Sequence, residues 1–375
     1  MKKLNRKIDT IVSIVLISAF IFSLYSEQVL AESNSPKDVA WEKATYLYEI
    51  IMEDVPDCTW SQNTVCADSF PLYDLDSNVN GYVFEFQNGL VPAGFIQIDL
   101  SSETAQLDRY CFSGVHTAKV LAQKQNISTA NAQVVYLGGY SYLLKNTSQN
   151  RSMQSEYVHL YTGELVSLNS RELRTEYQQI VDQKSIAAKH ASVQPYATTT
   201  TKFVAGYQSI GWETYSSVGD SKRNTCAPIA VTNICKYWAR CQGKTNLFPN
   251  TSYTYTTLKD KMGPYNNISM TDSSKVRPKW IEYVTQRGYG YTSYVLPKNG
   301  TNNTVSFNDF KYFIDWNRPF LYQYGGHAAA AFGYQIIDAQ TVAILADATS
   351  STCIYLNWTN ITHTVNPVSC SVIPL

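Results

Sequence analysis

The chain has 375 residues, which is enough for two ordinary domains or one large domain with a substantial core. Its 30 Lys and Arg residues balance 30 Asp and Glu residues, which argues against a nucleic-acid-binding protein, because such proteins need a basic surface. An apolar content of 44% excludes a disordered chain, and the five scattered His residues argue against a His-rich metal site. We expect a globular protein without a metal or cofactor.

The first 31 residues are typical of a secretory signal peptide. A lysine-rich start precedes an apolar run over residues 11–22, and Val29 and Ala31 supply the small residues of a cleavage site. The apolar run is shorter than the roughly 20 residues that a membrane-spanning helix needs. The sequence predicts a secreted bacterial protein that is cleaved after about Ala31 and has no membrane anchor.

Export places the eight cysteines in an oxidising compartment, where disulfides can form. Cys58 with Cys66, and Cys353 with Cys370, are candidate pairs because they are close in sequence, although spacing alone does not fix the connectivity. The sequence lacks the paired cysteines, followed by a second pair or by spaced histidines, that are typical of a zinc site.

Residues 32–182 carry the pattern of an α+β domain. Apolar residues recur every three or four positions over 40–54, which predicts a helix. Alternating runs separated by turn residues predict an antiparallel meander, and further strand-like runs follow it. The predicted strands cover residues 71–75, 81–86, 94–99, 134–137, 140–144 and 157–160. We find no catalytic constellation in this half. Residues 183–203 are small, polar and aperiodic, which predicts a protease-accessible linker.

In residues 204–375 the predicted helices come first along the chain and the predicted strands follow. An apolar helix is predicted over 224–238, with Pro228 in its first turn, and an amphipathic helix over 307–316. The predicted strands cover residues 320–324, 327–337, 341–345 and 353–358. The order indicates an α+β fold with a helix followed by an antiparallel sheet.

Two side chains of this second half suggest nucleophilic catalysis. Cys226 lies at the start of the apolar helix, where the positive end of the helix dipole favours a thiolate. His327 begins a strand of small residues, over which another element has room to pack. If the two are paired, the imidazole is the natural base for the thiol proton. A structural cysteine and a core histidine are the alternatives.

A third group must orient the imidazole, and a fourth must stabilise the oxyanion. Asp347 ends the strand after that of His327, and a hairpin turning near 338–340 brings the two side by side. Asn357, one strand further on, is the rival, and we favour Asp347. Gln208 is a candidate oxyanion donor together with the Cys226 backbone N–H, and an ordinary surface residue is the alternative.

Four segments, in this order, resemble the papain-like cysteine peptidase superfamily, and in particular its branch related to bacteriocin-leader peptidases. They are Thr225–Asn233, Arg318–Phe320, Gly326–Tyr334 and Leu345–Asp347. Ala227 and Ala348 replace the glycine and the proline that are usual in that branch. The apolar helix and Leu356-Asn-Trp358 also resemble the streptopain-like secreted cysteine proteases, which are made with an inhibitory propeptide.

The resemblance covers about residues 204–360 and implies a papain-like catalytic domain. It implies Cys226 as the nucleophile, His327 as the general base and acid, and Asp347 as the residue that orients His327. It also implies that residues 32 to about 195 act as a propeptide. The leader-peptidase branch is usually fused to a membrane transporter, and we see no such segment here, so processing of a bacteriocin is not implied.

We therefore expect a secreted cysteine peptidase, made as a zymogen, that acts on a peptide or protein substrate. The first alternative is an amidase or transpeptidase that acts on cell-wall peptides with the same fold. The second is a secreted binding protein on a degenerate peptidase fold, and the aromatic content of 13% is compatible with it.

Overall fold

A computed structural model describes most of the chain. It covers residues 35–102, 104–129, 132–139, 141–145, 156–160, 163–171, 173–175, 177–178, 181–182, 184, 199–220, 225–265, 270–271, 273–296, 305–324, 327–360 and 369–375. Residues 40–375 form one compact unit, and of residues 1–39 the structure describes 35–39. The predicted signal peptide and residues 185–198 of the predicted linker lie outside the described residues.

The N-terminal half combines helices with a run of strands. Its elements are α1 (Pro36–Asp54), β1 (Thr64–Tyr73), β2 (Val79–Asn88), β3 (Val91–Asp99), β4 (Gln106–Cys111), α2 (Thr117–Lys124), β5 (Val134–Tyr136), β6 (Tyr142–Lys145), β7 (Glu156–His159) and β8 (Leu165–Ser167). Strands β1 to β4 pair antiparallel in chain order, so the predicted meander is confirmed. Strand β5 pairs parallel with β1, which makes the sheet mixed. Gly94 allows β3 to approach β4, since a Cβ there would lie 1.9 Å from the Cys111 carbonyl oxygen.

The C-terminal half places its main helix on a sheet. Its elements are β9 (Thr200–Phe203), α3 (Cys226–Cys241), α4 (Thr251–Met262), β10 (Pro264–Tyr265), β11 (Met270–Thr271), α5 (Ser273–Gln286), β12 (Tyr291–Val295), α6 (Phe307–Asp315), β13 (Phe320–Tyr324), β14 (His327–Ile337), β15 (Gln340–Ala346), β16 (Ile354–Asn357) and β17 (Cys370–Pro374). The helices predicted over 224–238 and 307–316 and the four predicted strands are confirmed, with small shifts at their ends.

Strand β9 lies within the range that was predicted to be linker. It pairs antiparallel with β14, and Thr200 to Phe203 lie opposite Ile336 to Gly333. Threonine is β-branched and suits an extended backbone, so this part of the threonine run forms a strand once an open sheet edge is available. The chain is therefore part of the sheet of the C-terminal half from residue 200 onward.

One sheet runs through both halves of the chain. Among the described residues its order is β12-β17-β13-β14-β15-β16-β4-β3-β2-β1-β5-β6-β7-β8, with β9 also on β14. The halves join where β4 pairs antiparallel with β16, with Cys111 opposite Ile354. Beside this junction Tyr110 stacks on Tyr355, with 4.3 Å between the ring centroids. The fold is a mixed α+β architecture built on a large mixed sheet, in which the N-terminal half contacts the strands of the C-terminal half directly.

The eight cysteines are present as thiols, so neither predicted disulfide forms. Cys353 and Cys370 lie at β16 and β17, which are four strand positions apart. Four spacings amount to roughly 19 Å, far beyond the roughly 7 Å that a disulfide spans between Cα atoms. In the part of the chain that the structure describes, no group of His, Cys, Asp or Glu side chains is arranged to hold a metal ion. None of the described helices is long and apolar enough to cross a membrane.

Candidate active site

Cys226 begins helix α3, whose residues are buried from Cys226 to Ala239. Proline is suited to the first turn, where Pro228 lies, because the backbone N–H that it lacks has no partner there. The sulfur of Cys226 therefore lies at the positive end of a long buried helix, and the Cys226 side chain is only 7% exposed. A thiol at this position meets the first requirement of an activated nucleophile.

His327 is the first described residue of β14, and α3 packs across this strand. Four consecutive alanines, Ala328 to Ala331, follow it and are buried, so the helix can approach the strand closely. Through this packing the His327 imidazole comes close enough to Cys226 for the sulfur to raise the pKa of His327. The run of small residues thus explains how a helix and a strand one hundred residues apart in sequence bring a thiol and an imidazole together.

The β14–β15 hairpin returns Asp347 to the side of His327. Asp338 and Ala339 form its turn, both with φ near +55°, at +50° and +58°, as a two-residue hairpin with right-handed twist requires. The Asp347 carboxylate lies 2.5 Å from the His327 imidazole, between Oδ2 and Nε2, and both side chains are fully buried. Its Oδ1 accepts hydrogen bonds from the backbone N–H of Thr349, at 2.6 Å, and from the Thr349 hydroxyl.

The electrostatics of the site favour a charged imidazole. Burial by itself lowers the pKa of His327, but the Asp347 carboxylate and then the Cys226 sulfur raise it, and the resulting pKa is about 9. Asp347 engages Nε2, which leaves Nδ1 as the ring nitrogen for the thiol. At neutral pH the site can therefore hold a protonated His327 between the Asp347 carboxylate and the Cys226 sulfur, and a thiolate at Cys226 would balance the positive charge of the ring.

Two tyrosines that the sequence analysis did not consider complete the surroundings. The Tyr324 ring meets the His327 ring edge-on, with centroids 5.6 Å apart. Tyr255 of α4 lies near Cys226, contacts Thr225 and donates a hydrogen bond to Asp220. Tyr324 stands three residues before His327, so its proximity could have been read from the sequence, whereas Tyr255 belongs to a helix that the sequence analysis did not predict.

The structure decides between Asp347 and Asn357 as the partner of His327. Asn357 donates from Nδ2 to the Leu107 carbonyl oxygen, at 2.7 Å, and its Oδ1 accepts from Thr359, so Asp347 and not Asn357 contacts His327. Gln208 is exposed, and no described contact tests its oxyanion role, which stays a prediction. The Cys226 backbone N–H lies at the helix N-terminus, as its predicted role of oxyanion donor requires.

The arrangement can perform one kind of chemistry well. A thiol at a helix N-terminus, an imidazole beside it and a carboxylate on the imidazole Nε2 are the groups needed for acyl transfer through a thioester. A scan against known protein-family models finds none that matches the chain, and a search of curated proteins finds no match either. The geometry of Cys226, His327 and Asp347 therefore carries the functional argument.

Proposed function

We propose that the chain is a secreted bacterial cysteine peptidase with a papain-like catalytic half, made as a zymogen whose N-terminal half is the propeptide. One observation carries the proposal: the His327 imidazole lies 2.5 Å from the Asp347 carboxylate and close enough to the Cys226 sulfur for that sulfur to raise the pKa of His327. Binding alone does not require a buried imidazole with a carboxylate on one side and a thiol on the other, because such side chains do not contact a partner at the surface. This favours an enzyme over the degenerate-fold alternative.

In the proposed reaction His327 takes the proton of the Cys226 thiol, and the thiolate attacks the carbonyl carbon of a peptide bond. The Cys226 backbone N–H stabilises the resulting oxyanion. When the tetrahedral intermediate collapses, the C–N bond breaks and the imidazolium donates its proton to the leaving amine. Water, deprotonated by His327, then attacks the thioester and releases the carboxylic acid and the thiol.

The zymogen part of the proposal is supported by contacts beside Asp347. From the N-terminal half, the Cys111 sulfur lies 3.1 Å from the Ser350 hydroxyl and the Ser113 hydroxyl lies 3.0 Å from that of Thr352. These partners belong to the loop that follows Asp347, and β4 pairs with β16 directly after it. Cys226 is only 7% exposed in this form, and in the proposal a substrate reaches the sulfur after the halves separate.

The two halves also indicate where maturation cuts the chain. Lys184 is tied to the N-terminal half by an ion pair to Asp99, at 2.6 Å. Thr200 is tied to the C-terminal half through β9. A cut that releases one half from the other without breaking either attachment falls between these two residues, within the predicted linker.

The hydrolytic claim is tested on the full secreted chain with a thiol reductant and casein as the substrate. We expect Cys226→Ala and His327→Ala to lose more than about 10³-fold in rate, as removal of a catalytic group does. Cys235→Ala removes another buried cysteine of α3 and serves as the matched control, which keeps its activity. Full activity in either catalytic variant contradicts the proposal, and turnover of a cell-wall muropeptide but not of casein supports the amidase alternative.

The zymogen claim is tested by intact mass during incubation with reductant. We expect the wild-type chain to shorten by a cut between Lys184 and Thr200, whereas Cys226→Ala stays full length. Shortening of both chains at the same rate shows that another protease makes the cut. A wild-type chain that hydrolyses casein without any cut contradicts the propeptide role of the N-terminal half.

A further inference from the structure

A lysine from the N-terminal half lies on a tyrosine beside the candidate active site. The Lys124 ammonium, at the end of α2, is 3.5 Å from the centroid of the Tyr215 ring. This is well within the roughly 6 Å at which a cation is attracted by the negative face of an aromatic ring. Tyr215 itself is 7% exposed, so most of its surface is covered while the two halves are together.

The Tyr215 ring belongs to the immediate surroundings of the catalytic groups. It packs in a small apolar cluster with Ile229, Tyr255 and Ala348. Ile229 lies one turn after Cys226 on α3, and Ala348 follows Asp347 directly. The Tyr215 backbone N–H donates to the Ala348 carbonyl oxygen at 2.9 Å, which fixes the tyrosine to the loop of the catalytic carboxylate.

The neighbourhood of the ring also suits a positive charge. Asp220, buried at the end of the same loop, donates its backbone N–H to the Tyr215 carbonyl oxygen at 3.1 Å. The Asp220 carboxylate accepts from the Tyr255 hydroxyl and forms an ion pair with Lys259 at 2.7 Å. The negative face of an aromatic ring attracts an ammonium group and not an acidic side chain.

We propose that the face of Tyr215 is a substrate subsite for a lysine side chain, and that Lys124 fills this subsite in the full-length chain. This inference rests on the proposed peptidase function and names the class of its substrates. After the N-terminal half leaves, the ring face is vacated next to Cys226 and receives the ammonium of a lysine close to the scissile bond. In the zymogen the same contact keeps the subsite occupied in cis.

The test measures binding and not turnover, so that it does not depend on peptidase activity. The probes are N-acetyl-lysine methylamide and N-acetyl-norleucine methylamide, which differ in the ammonium group, and calorimetry is done on the full chain carrying Cys226→Ala. We expect Lys124→Ala, added to this chain, to bind the lysine probe about tenfold more tightly than the norleucine probe. The matched control is Lys311→Ala, which removes an ammonium 5.2 Å from the Tyr334 ring and gains no affinity.

The role of the ring is tested in the Lys124→Ala background. Tyr215→Leu removes the preference for the lysine probe, whereas Tyr215→Phe keeps the aromatic face and most of the preference. Equal affinity for the two probes, no binding of either, or a preference that survives Tyr215→Leu overturns the inference. A chain that cleaves casein but shows no lysine preference overturns this inference alone, and a chain that prefers lysine but cleaves nothing overturns the peptidase alone.

Discussion

Among the described residues, each half of the molecule has one fully buried histidine, and the pKa values of the two rings are shifted in opposite directions. His327 lies in the C-terminal half against the Asp347 carboxylate, and its pKa is raised to about 9. His116 lies in the N-terminal half, where burial, and then the nearby Arg109 and Lys119 cations, lower its pKa well below 6.5. Similar burial therefore gives an imidazolium in one half and a neutral imidazole in the other.

The partners of each ring explain the difference. The His116 Nε2 is 2.7 Å from the Gln97 Oε1, a neutral partner, and its Nδ1 accepts from the Ala118 backbone N–H as a helix cap. Phe95 meets the His116 ring edge-on at 4.6 Å between centroids. His116 thus holds a helix and an aromatic core in place, whereas His327 faces an acid and a nucleophile. A carboxylate within hydrogen-bond distance of the ring, and not burial, accounts for the opposite pKa shifts of the two histidines.

The largest effect that this comparison predicts is on catalysis. Replacing His327 with Ala removes the proton carrier, so we expect kcat to fall by more than about 10³-fold while the protein stays folded. His116→Asn is the matched histidine variant and keeps kcat within a few-fold per folded molecule, because its ring takes no part in the reaction. Casein hydrolysis, normalised to the folded fraction from circular dichroism, checks both. A loss of kcat in His116→Asn comparable to that in His327→Ala contradicts the different roles assigned to the two histidines.

Within the N-terminal half, loss of a buried charge is expected to lower the free energy of unfolding far more than loss of an exposed one. The fully buried Arg109 guanidinium binds Asp108 at 2.8 Å and Tyr136 at 2.9 Å. Arg109→Met leaves a buried carboxylate without its cation, so we expect a loss of about 3–5 kcal/mol in the free energy of unfolding. Arg174→Met breaks an exposed ion pair to Asp76 and changes the same quantity by less than about 1 kcal/mol. Urea denaturation of both variants checks this, and equal losses contradict it.

Alkaline pH is expected to weaken the C-terminal half through His327. Its folded pKa of about 9 exceeds its usual 6.5, so the folded protein holds this proton more tightly than the unfolded chain. The resulting stabilisation is complete below about pH 6.5 and is lost as the pH rises through about 9. We expect the stability difference between wild type and Asp347→Asn to shrink by up to about 3 kcal/mol between pH 6.5 and 9.5. A difference that stays constant in urea denaturation at the two pH values contradicts the ion pair.

Acidic pH is expected to weaken the N-terminal half through His116, with the opposite sign. Its folded pKa lies below 6.5, so the unfolded chain binds this proton first and stability falls as the pH drops below about 6.5. The expected slope is up to about 1.4 kcal/mol per pH unit. Thermal unfolding of wild type and His116→Gln between pH 7 and pH 5 checks this, since the variant lacks the slope. A parallel decline in both chains assigns the acid sensitivity to other groups.

The sequence predicted those parts of the site that local patterns specify. Helix α3 follows from its apolar run and Pro228, and the strand of His327 follows from its small residues. The hairpin near 338–340 could be placed because its two flanking strands were clear, and this placement brought Asp347 to His327. Periodicity and turn length are local properties, so one sequence is enough to read them.

Other features depend on contacts that no local pattern records. Helix α4 is rich in threonine and tyrosine, which are weak helix formers, although Asn250 caps it by accepting from the Tyr253 backbone N–H at 2.8 Å. The pairing of β4 with β16 joins residues about 245 positions apart, and the sequence of neither strand indicates which strand it pairs with. The oxyanion role of Gln208 stays a prediction, because an eighteen-residue separation from Cys226 does not show which way the short turn of Gln208 faces. Long-range packing decides such features.

The most direct test of the Cys226–His327–Asp347 account is covalent labelling with a peptidyl fluoromethyl ketone, followed by intact mass and peptide mapping of the reduced chain. The wild type and each variant are first cut between Lys184 and Thr200 by an added protease, so that all are labelled in the same form. This reagent alkylates a cysteine that is activated by a neighbouring imidazole. We predict a single adduct on Cys226 in the wild-type protein and none in chains that carry Cys226→Ala or His327→Ala. An adduct on Cys226 that forms equally fast in His327→Ala, or labelling spread over the other cysteines, contradicts the account.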